Sequence, residues 1–268
     1  MPLLTNFGTL SARAFGVSAG SVALAFVTVG GTSATAAYST NGGQTWTASA
    51  MPSSQTWHGV AASGSTFVAV SATTAAAYST NGGQTWTAST MPSSQTWYGV
   101  AASGSTFVAV GGSSASGAYS TNGGQTWTAS TMPSSQDWYG VAASGSTFVA
   151  VGGGGTAGAY STNGGQTWTA STMPSSQTWA AVAYGNGVFV AVAAGIANNA
   201  AAYSTDGGQT WTASTLPSSQ DWYGVAYGNG TFVAVSAANA AAYSTDGGQT
   251  WTASTLPSSQ TWYGVAYG

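Results

Sequence analysis

Ser204-Thr205-Asp206-Gly207-Gly208-Gln209-Thr210-Trp211 is one of six near-copies of a single phrase, the others starting at Ser39, Ser79, Ser120, Ser161 and Ser244. Each copy follows Ala-Tyr and precedes Thr-Ala-Ser, so two runs of β-forming residues flank a turn of Asn or Asp and two glycines. That is hairpin chemistry. Successive copies stand 40, 41, 41, 43 and 40 residues apart. A fixed period of this length marks an array of similar units stacked on one another, which favours one closed all-β domain over two small ones.

Each unit reads as four strands. In the second, Trp57 to Ala62 is strand A, Thr66 to Val70 strand B, Ala76 to Ser79 strand C and Gln84 to Ser89 strand D. Trp222, Gly224 and Ala226 alternate with Tyr223, Val225 and Tyr227, as expected of a strand with two different faces. The A-to-B turn is Ser63-Gly64-Ser65 in early units and Gly228-Asn229-Gly230 in late ones. Every change of length falls between strands B and C, for example at Gly152 to Gly155 and at Ala194 to Asn199. Loops on a rigid scaffold are where binding usually resides, so this rim is the candidate binding face.

The repeated phrase resembles the Asp-box, or BNR repeat, with the pattern Ser-x-Asp-x-Gly-x-Thr-Trp. Ser, Gly, Thr and Trp match in all six copies, whereas the Asp position is Asp only at Asp206 and Asp246 and is Asn at Asn41, Asn81, Asn122 and Asn163. Proteins with this box, among them sialidases, bacterial surface proteins and phage structural proteins, place it on the turn between the third and fourth strands of a β-propeller blade. The resemblance implies an all-β, six-bladed β-propeller of four-stranded blades over residues 21–268. It leaves residues 1–20 as an N-terminal arm or anchoring segment, in which Phe7 to Gly16 is similar to short N-terminal pieces of phage virion proteins.

One further strand-A phrase, Trp262 to Val265, follows the sixth box. It is expected to pair with strand B around Phe26 to Val29, so that the first blade is closed by the C-terminal strand and no free edge remains. Arg13 to Val17, a poor copy of strand A, is then displaced outward. The competing arrangement keeps Arg13 to Val17 as strand A and makes Trp262 to Val265 the start of a seventh blade. Val22 to Val29 followed by Ser33 to Ala36 has the look of a signal-peptide end, yet Phe26 to Val29 falls where Phe67 to Val70 falls in the next unit.

Only 2% of the residues are charged, with one Lys or Arg, four Asp and one His. Such a surface lacks the cations that neutralise phosphates, which argues against nucleic acid and anionic membranes as partners. With no cysteine there are neither disulfides nor thiolate metal sites. Sialidase activity, by the resemblance, requires an arginine cluster and a Tyr with a Glu; this chain has one Arg and no Glu. Glycoside hydrolysis in general needs two carboxylates beside one bond. Asp206 and Asp246 are turn residues, and Asp137 and Asp221 stand two units apart, so no catalytic residues are assigned. His58 occupies the position of Tyr98 and has no placed partner for a nucleophilic triad. No metal or cofactor is expected either: Asn-Gly-Gly turns make poor calcium cages, and Gly152 to Gly155 lacks the Lys of a phosphate loop.

Aromatic and amide side chains in six-fold repetition remain. Trp46, Trp86, Trp127, Trp168, Trp211 and Trp251 are expected to pack between blades. Trp57, Trp97, Trp138, Trp179, Trp222 and Trp262 open strand A at the rim, where with Gln95, Asp137, Asp221, Asn198 and Asn199 they form a candidate surface for neutral sugars; inter-blade packing is the alternative for these tryptophans. The functional expectation is a non-enzymatic virion-surface or extracellular binding protein. A phage fibre or decoration component recognising neutral surface polysaccharide fits best, with other virion proteins held through the N-terminal arm and homo-oligomers left open. A purely structural virion or filament protein, or a designed repeat propeller, is the alternative, and a glycoside hydrolase the remotest.

Overall fold

The computed structural model describes residues 11–12, 25–112, 114–195 and 198–267. In chain order its strands are β1 (Ser11–Ala12), β2 (Phe26–Val29), β3 (Ser33–Ser39), β4 (Thr47–Gln55), β5 (Trp57–Ser63), β6 (Thr66–Ser71), β7 (Ala75–Ser79), β8 (Thr87–Thr90), β9 (Trp97–Ser103), β10 (Thr106–Gly111), β11 (Ser114–Ser120), β12 (Thr128–Gln136), β13 (Trp138–Ser144), β14 (Thr147–Gly152), β15 (Gly155–Ser161), β16 (Thr169–Gly185), β17 (Val188–Ala194), β18 (Ala200–Ser204), β19 (Thr212–Thr215), β20 (Trp222–Gly228), β21 (Thr231–Ser244) and β22 (Thr252–Thr261). No helix occurs among the described residues.

The order A-B-C-D read from the repeat is the antiparallel order of β5-β6-β7-β8 and of β9-β10-β11-β12. β16 runs on from strand D of one unit into strand A of the next, joining β13-β14-β15 to β17-β18-β19. In the sheet β20-β21-β22, β21 carries both the B and C runs, and β2-β3-β4 supplies only B, C and D.

The box turn explains why Asn and Asp interchange. In the Asp copies, the Thr210 hydroxyl donates to Asp206 Oδ2 at 2.6 Å, and the Thr210 N–H donates to Asp206 Oδ1 at 3.0 Å. In the Asn copies the second bond survives, Thr45 N to Asn41 Oδ1 at 3.0 Å, while the first reverses, with Asn41 Nδ2 donating to Thr45 Oγ1 at 2.8 Å. The box Ser accepts from the second glycine, Gly43 N to Ser39 Oγ at 2.9 Å. That turn holds both glycines at positive φ, 71° and 82° for Gly42 and Gly43, a region costly for other residues.

The apolar core lies between neighbouring sheets. One cluster joins Val68, Val70, Ala76 and Met91 to Trp97, Val100, Phe107 and Ala109 of the next unit, with Trp127 against its margin. Equivalent clusters hold Trp86, Trp168, Trp211 and Trp251, the packing expected of the box tryptophans. Trp46 is the exception and is 48% exposed.

The expected ladder between the two ends is not seen among the described residues. Among the described residues β2 forms a ladder only with β3, and residues 262–266 carry no strand pairing. Trp262 to Tyr267 instead lies alongside β20, where a Cβ on Gly224 would meet Gly264 Cα at 3.1 Å. This is the spacing of consecutive innermost strands elsewhere: a Cβ on Gly59 would meet Tyr98 O at 3.1 Å. The inner edge of β5 is taken by β1, which runs parallel to it with Ser11 beside Gly59 and Ala12 beside Val60. Within the N-terminal arm only these two residues are described; Arg13 to Val17 and the rest of the Phe7 to Gly16 phrase lie outside the described residues.

Candidate functional site

The site is built at the start of each strand A. Trp57 faces Ser71 and Gly59 faces Val70, which leaves His58 as the extra residue of a bulge. The same offset puts Tyr98, Tyr139, Ala180 and Tyr223 at bulges in the following units. A bulge bends its strand and re-aims one side chain. Here it keeps the tryptophan in the core while the next residue is half-buried, its ring turned towards the corresponding ring of the adjacent unit.

The result is a belt of aromatic rings. His58 meets Tyr98 edge-on at 5.7 Å between centroids, Tyr98 meets Tyr139 at 5.2 Å, and Tyr223 meets Tyr263 at 5.2 Å. Ala180 interrupts the belt between the two groups. Offset and edge-on pairs at these distances are the favoured aromatic geometries.

Each group carries one carboxylate. The Tyr139 hydroxyl donates to Asp137 Oδ2 at 3.2 Å, and the Tyr223 hydroxyl to Asp221 Oδ2 at 3.5 Å. Asp221 Oδ1 also accepts from Gly195 N at 2.8 Å. Two glycines make room: a Cβ on Gly112 would sit 2.8 Å from both Asp137 Oδ1 and Tyr98 Cε2, and one on Gly153 would sit 2.5 Å from Tyr139 Cε2. Burial and the neighbouring carboxylate both disfavour a phenolate, burial being the larger. They raise Tyr98 and Tyr139 above the ordinary tyrosine value and carry Tyr223 to about 12. Burial lowers the imidazolium pKa of His58, which favours the neutral ring.

Outside the belt lie two uncharged hollows between the D-to-A and B-to-C loops. One, of about 410 Å³, is lined by Ser93, Ser94, Gln95, Thr96, Tyr98, Gly112, Ser114 and Ser116. The other, of about 470 Å³, is lined by Gly154, Ser176, Gln177, Thr178, Ala194, Gly195, Asn198, Asn199 and Ala200. The glutamines brace these walls. Gln95 accepts from the Ser114 hydroxyl and donates to Ser116 O at 3.2 Å, and Gln177 accepts from Asn198 Nδ2 at 2.5 Å. Asn198 is buried and its Oδ1 accepts from Ala200 N at 2.8 Å; exposed Asn199 leaves its side chain at the mouth.

The structure therefore redistributes the candidate residues. Trp57, Trp97, Trp138, Trp179 and Trp222 are fully buried, and an enclosed indole has no face to offer a sugar. Trp97, Trp138, Trp179 and Trp222 each donate Nε1 to a backbone carbonyl four residues earlier, at 3.2–3.3 Å. Trp262 alone of the series is half-exposed. Gln95, Asn198 and Asn199 line the hollows, and Asp137 and Asp221 join the belt. A regular alternation assigns the tyrosines to the strand's second face and does not single them out. The signal lay in Tyr98, Tyr139, Tyr223 and Tyr263 each following a tryptophan. No three His, Cys, Asp or Glu side chains come together among the described residues.

The BNR/Asp-box repeat pattern matches residues 37–48, 77–88, 118–129, 159–170, 202–213 and 242–253, so the chain carries six BNR/Asp-box repeats. No curated protein matches it. Among solved structures it is similar to YCF48 bound to D1 peptide, with 20% identity and TM-score 0.64 over 83% of this chain and 75% of that one. A catalytically inactive virginiamycin B lyase from Staphylococcus aureus, with quinupristin, gives 14% identity and TM-score 0.75 over 91% and 84%. The GH74 enzyme of Niastella koreensis gives 24% and 0.56, over 81% of this chain and 35% of the enzyme. These neighbours are β-propellers, and at such identities the likeness is one of fold.

Proposed function

We propose that this chain, a carrier of six BNR/Asp-box repeats on a propeller fold, is a non-enzymatic binding protein whose bulge-side rim holds neutral saccharide. The supporting observation is the lining of the two hollows, which is entirely uncharged and consists of side-chain amides, hydroxyls and small residues, with the Tyr98 ring at the edge of one. Sugars present apolar CH faces and many hydroxyls. A tyrosine face with Gln and Ser beside it matches both, and repetition turns weak sites into useful avidity. Asp137 and Asp221 act as fixed acceptors that orient Tyr139 and Tyr223, not as an acid/base pair. The same reading places the protein on a virion or cell surface, as a fibre or decoration component with its N-terminal arm towards other virion proteins.

A peptide ligand is the second reading, favoured by the YCF48 neighbour that is bound to a peptide. A glycan array probed with multivalently displayed protein, with neutral saccharide and unrelated extended peptides as competitors, separates the two. Saccharide-specific retention supports the first reading, and displacement by peptide alone supports the second.

A further inference from the structure

Five times in this molecule one unit seats on the next through the same contacts. The second box glycine packs against a strand-B valine of the preceding unit: Gly83 on Val27, Gly124 on Val68, Gly165 on Val108, Gly208 on Val149 and Gly248 on Val190. In each case a Cβ would collide with the valine side chain, so the seam closes only around a glycine. The box tryptophan then covers the preceding strand D. In two of the five seams it also hydrogen-bonds there, Trp86 Nε1 donating to Ser49 Oγ and Trp168 Nε1 to Ser130 Oγ, both at 3.3 Å. Met51, Met91, Met132, Met173 and Leu216 are buried beside these contacts, at 5% exposure or less.

A sixth set of the same groups has no partner face among the described residues. Nothing lies within 4 Å of a Cβ on Gly42, and one on Gly43 meets only the chain's own Trp46, itself 48% exposed. The repeat assigns to this knob the socket of Val233, Ser254 and Leu256. Val233 and Leu256 are half-buried where their five counterparts are buried, and Ser254 is exposed. One flank is therefore all knob and the other all socket.

We propose that these flanks form a head-to-tail interface between copies of the chain, with Gly43 and Trp46 of one copy seated on Val233, Ser254 and Leu256 of the next. The five filled seams give the fit directly, since the sixth would repeat contacts the sequence already makes. A second copy is favoured over the chain's own far end because, among the described residues, β2, β3 and β4 do not pack extensively against β20, β21 or β22. Such a contact is heterologous: each copy keeps one free knob and one free socket, so association runs on beyond the dimer.

Sedimentation velocity of the full chain over a hundredfold concentration range tests this. The wild type is expected to grow from one chain to two and then to longer species. Trp46→Ala and Leu256→Asp alter side chains already accessible in the single chain, and each variant alone should remain a monomer. An equimolar mixture of the two variants should form a dimer and stop there, because each retains one intact flank. A wild type that stays monomeric throughout overturns the proposal, as does a mixture that does not dimerise or a single variant that grows like the wild type.

Discussion

Replacing Trp138 with alanine separates the core reading of the strand-A tryptophans from the rim reading. The side chain is fully buried among Val108, Val110, Met132, Val141 and Phe148, and its Nε1 donates to Ser134 O at 3.3 Å. Aromatic side chains of this size bury roughly 150–250 Å². At about 25 cal/mol per Å² that is on the order of 4–6 kcal/mol, and measured Phe or Trp to Ala changes in cores run about 3–5 kcal/mol. A loss of about 3–5 kcal/mol is therefore expected, with the hydrogen bond adding on the order of 1 kcal/mol. Urea unfolding followed by tryptophan fluorescence reads this as a large drop in midpoint at nearly constant slope. Tyr98→Ala, at a half-exposed position, should shift the midpoint far less. If Trp138→Ala left the midpoint in place and abolished saccharide binding instead, the assignment of this series to the core would be refuted.

Three other outcomes follow from the same geometry. Gly99→Ala places a Cβ 2.9 Å from Tyr139 O between adjacent innermost strands and should cost about 1–3 kcal/mol by overpacking, measured as a lower urea midpoint. For Asp206 and Asp246 the net shift is downward. Burial raises Asp206 but is outweighed by hydrogen bonds from Thr210 and Ser204, and at Asp246 the Thr250 bonds lead. Depressed carboxylates contribute stability above their unfolded value, near 3.9, that is lost as pH falls through the folded value. Thermal melts from pH 6 to 2 should therefore fall at the acid end, and less steeply in the Asp206→Asn/Asp246→Asn double variant, whose turns keep the pattern of the four natural Asn copies. Tyr223 is raised to about 12, so its contribution is complete below about pH 10 and is lost between there and 12 as the unfolded chain ionises first. Alkaline unfolding should be less pH-dependent in Tyr223→Phe, and an unchanged profile would contradict the burial of that hydroxyl.

The fold was legible because the repeat wrote its own punctuation. Asn-Gly-Gly and Asp-Gly-Gly turns fixed the C-to-D hairpins, and the Phe-Val-Ala-Val runs fixed strand B. The site was less legible for a local reason. The bulge at Tyr98, Tyr139 and Tyr223 inserts one residue after the tryptophan, and the glycine that follows each of them, Gly99, Gly140 and Gly224, also reads as an ordinary small residue of the strand's alternation. A two-residue period carried through that point assigns Trp and Tyr to faces without showing which ring is enclosed. The hollows were half legible: the length changes between strands B and C pointed to Asn198 and Asn199, but the bracing of each B-to-C loop by a preceding glutamine appears only when the loops are brought together. The expected pairing of Trp262 to Val265 with Phe26 to Val29 followed from sequence similarity between copies, which carries no information about the rotation from one unit to the next. Adjacent innermost strands approach closely at Gly59, Gly99 and Gly140, where a Cβ would meet the next strand's backbone at 3.1, 2.9 and 3.1 Å.

The most direct test compares the wild type with the Gln95→Ala/Tyr98→Ala variant, both displayed multivalently on the same neutral-glycan array. Losing a ring face and an amide should remove about 1–3 kcal/mol per site, on the order of a tenfold to hundredfold loss in affinity. Retention of a neutral glycan by the wild type and its loss in a variant that melts normally is the predicted result. Absence of any neutral glycan at millimolar concentrations, or equal retention by both proteins, would contradict the account.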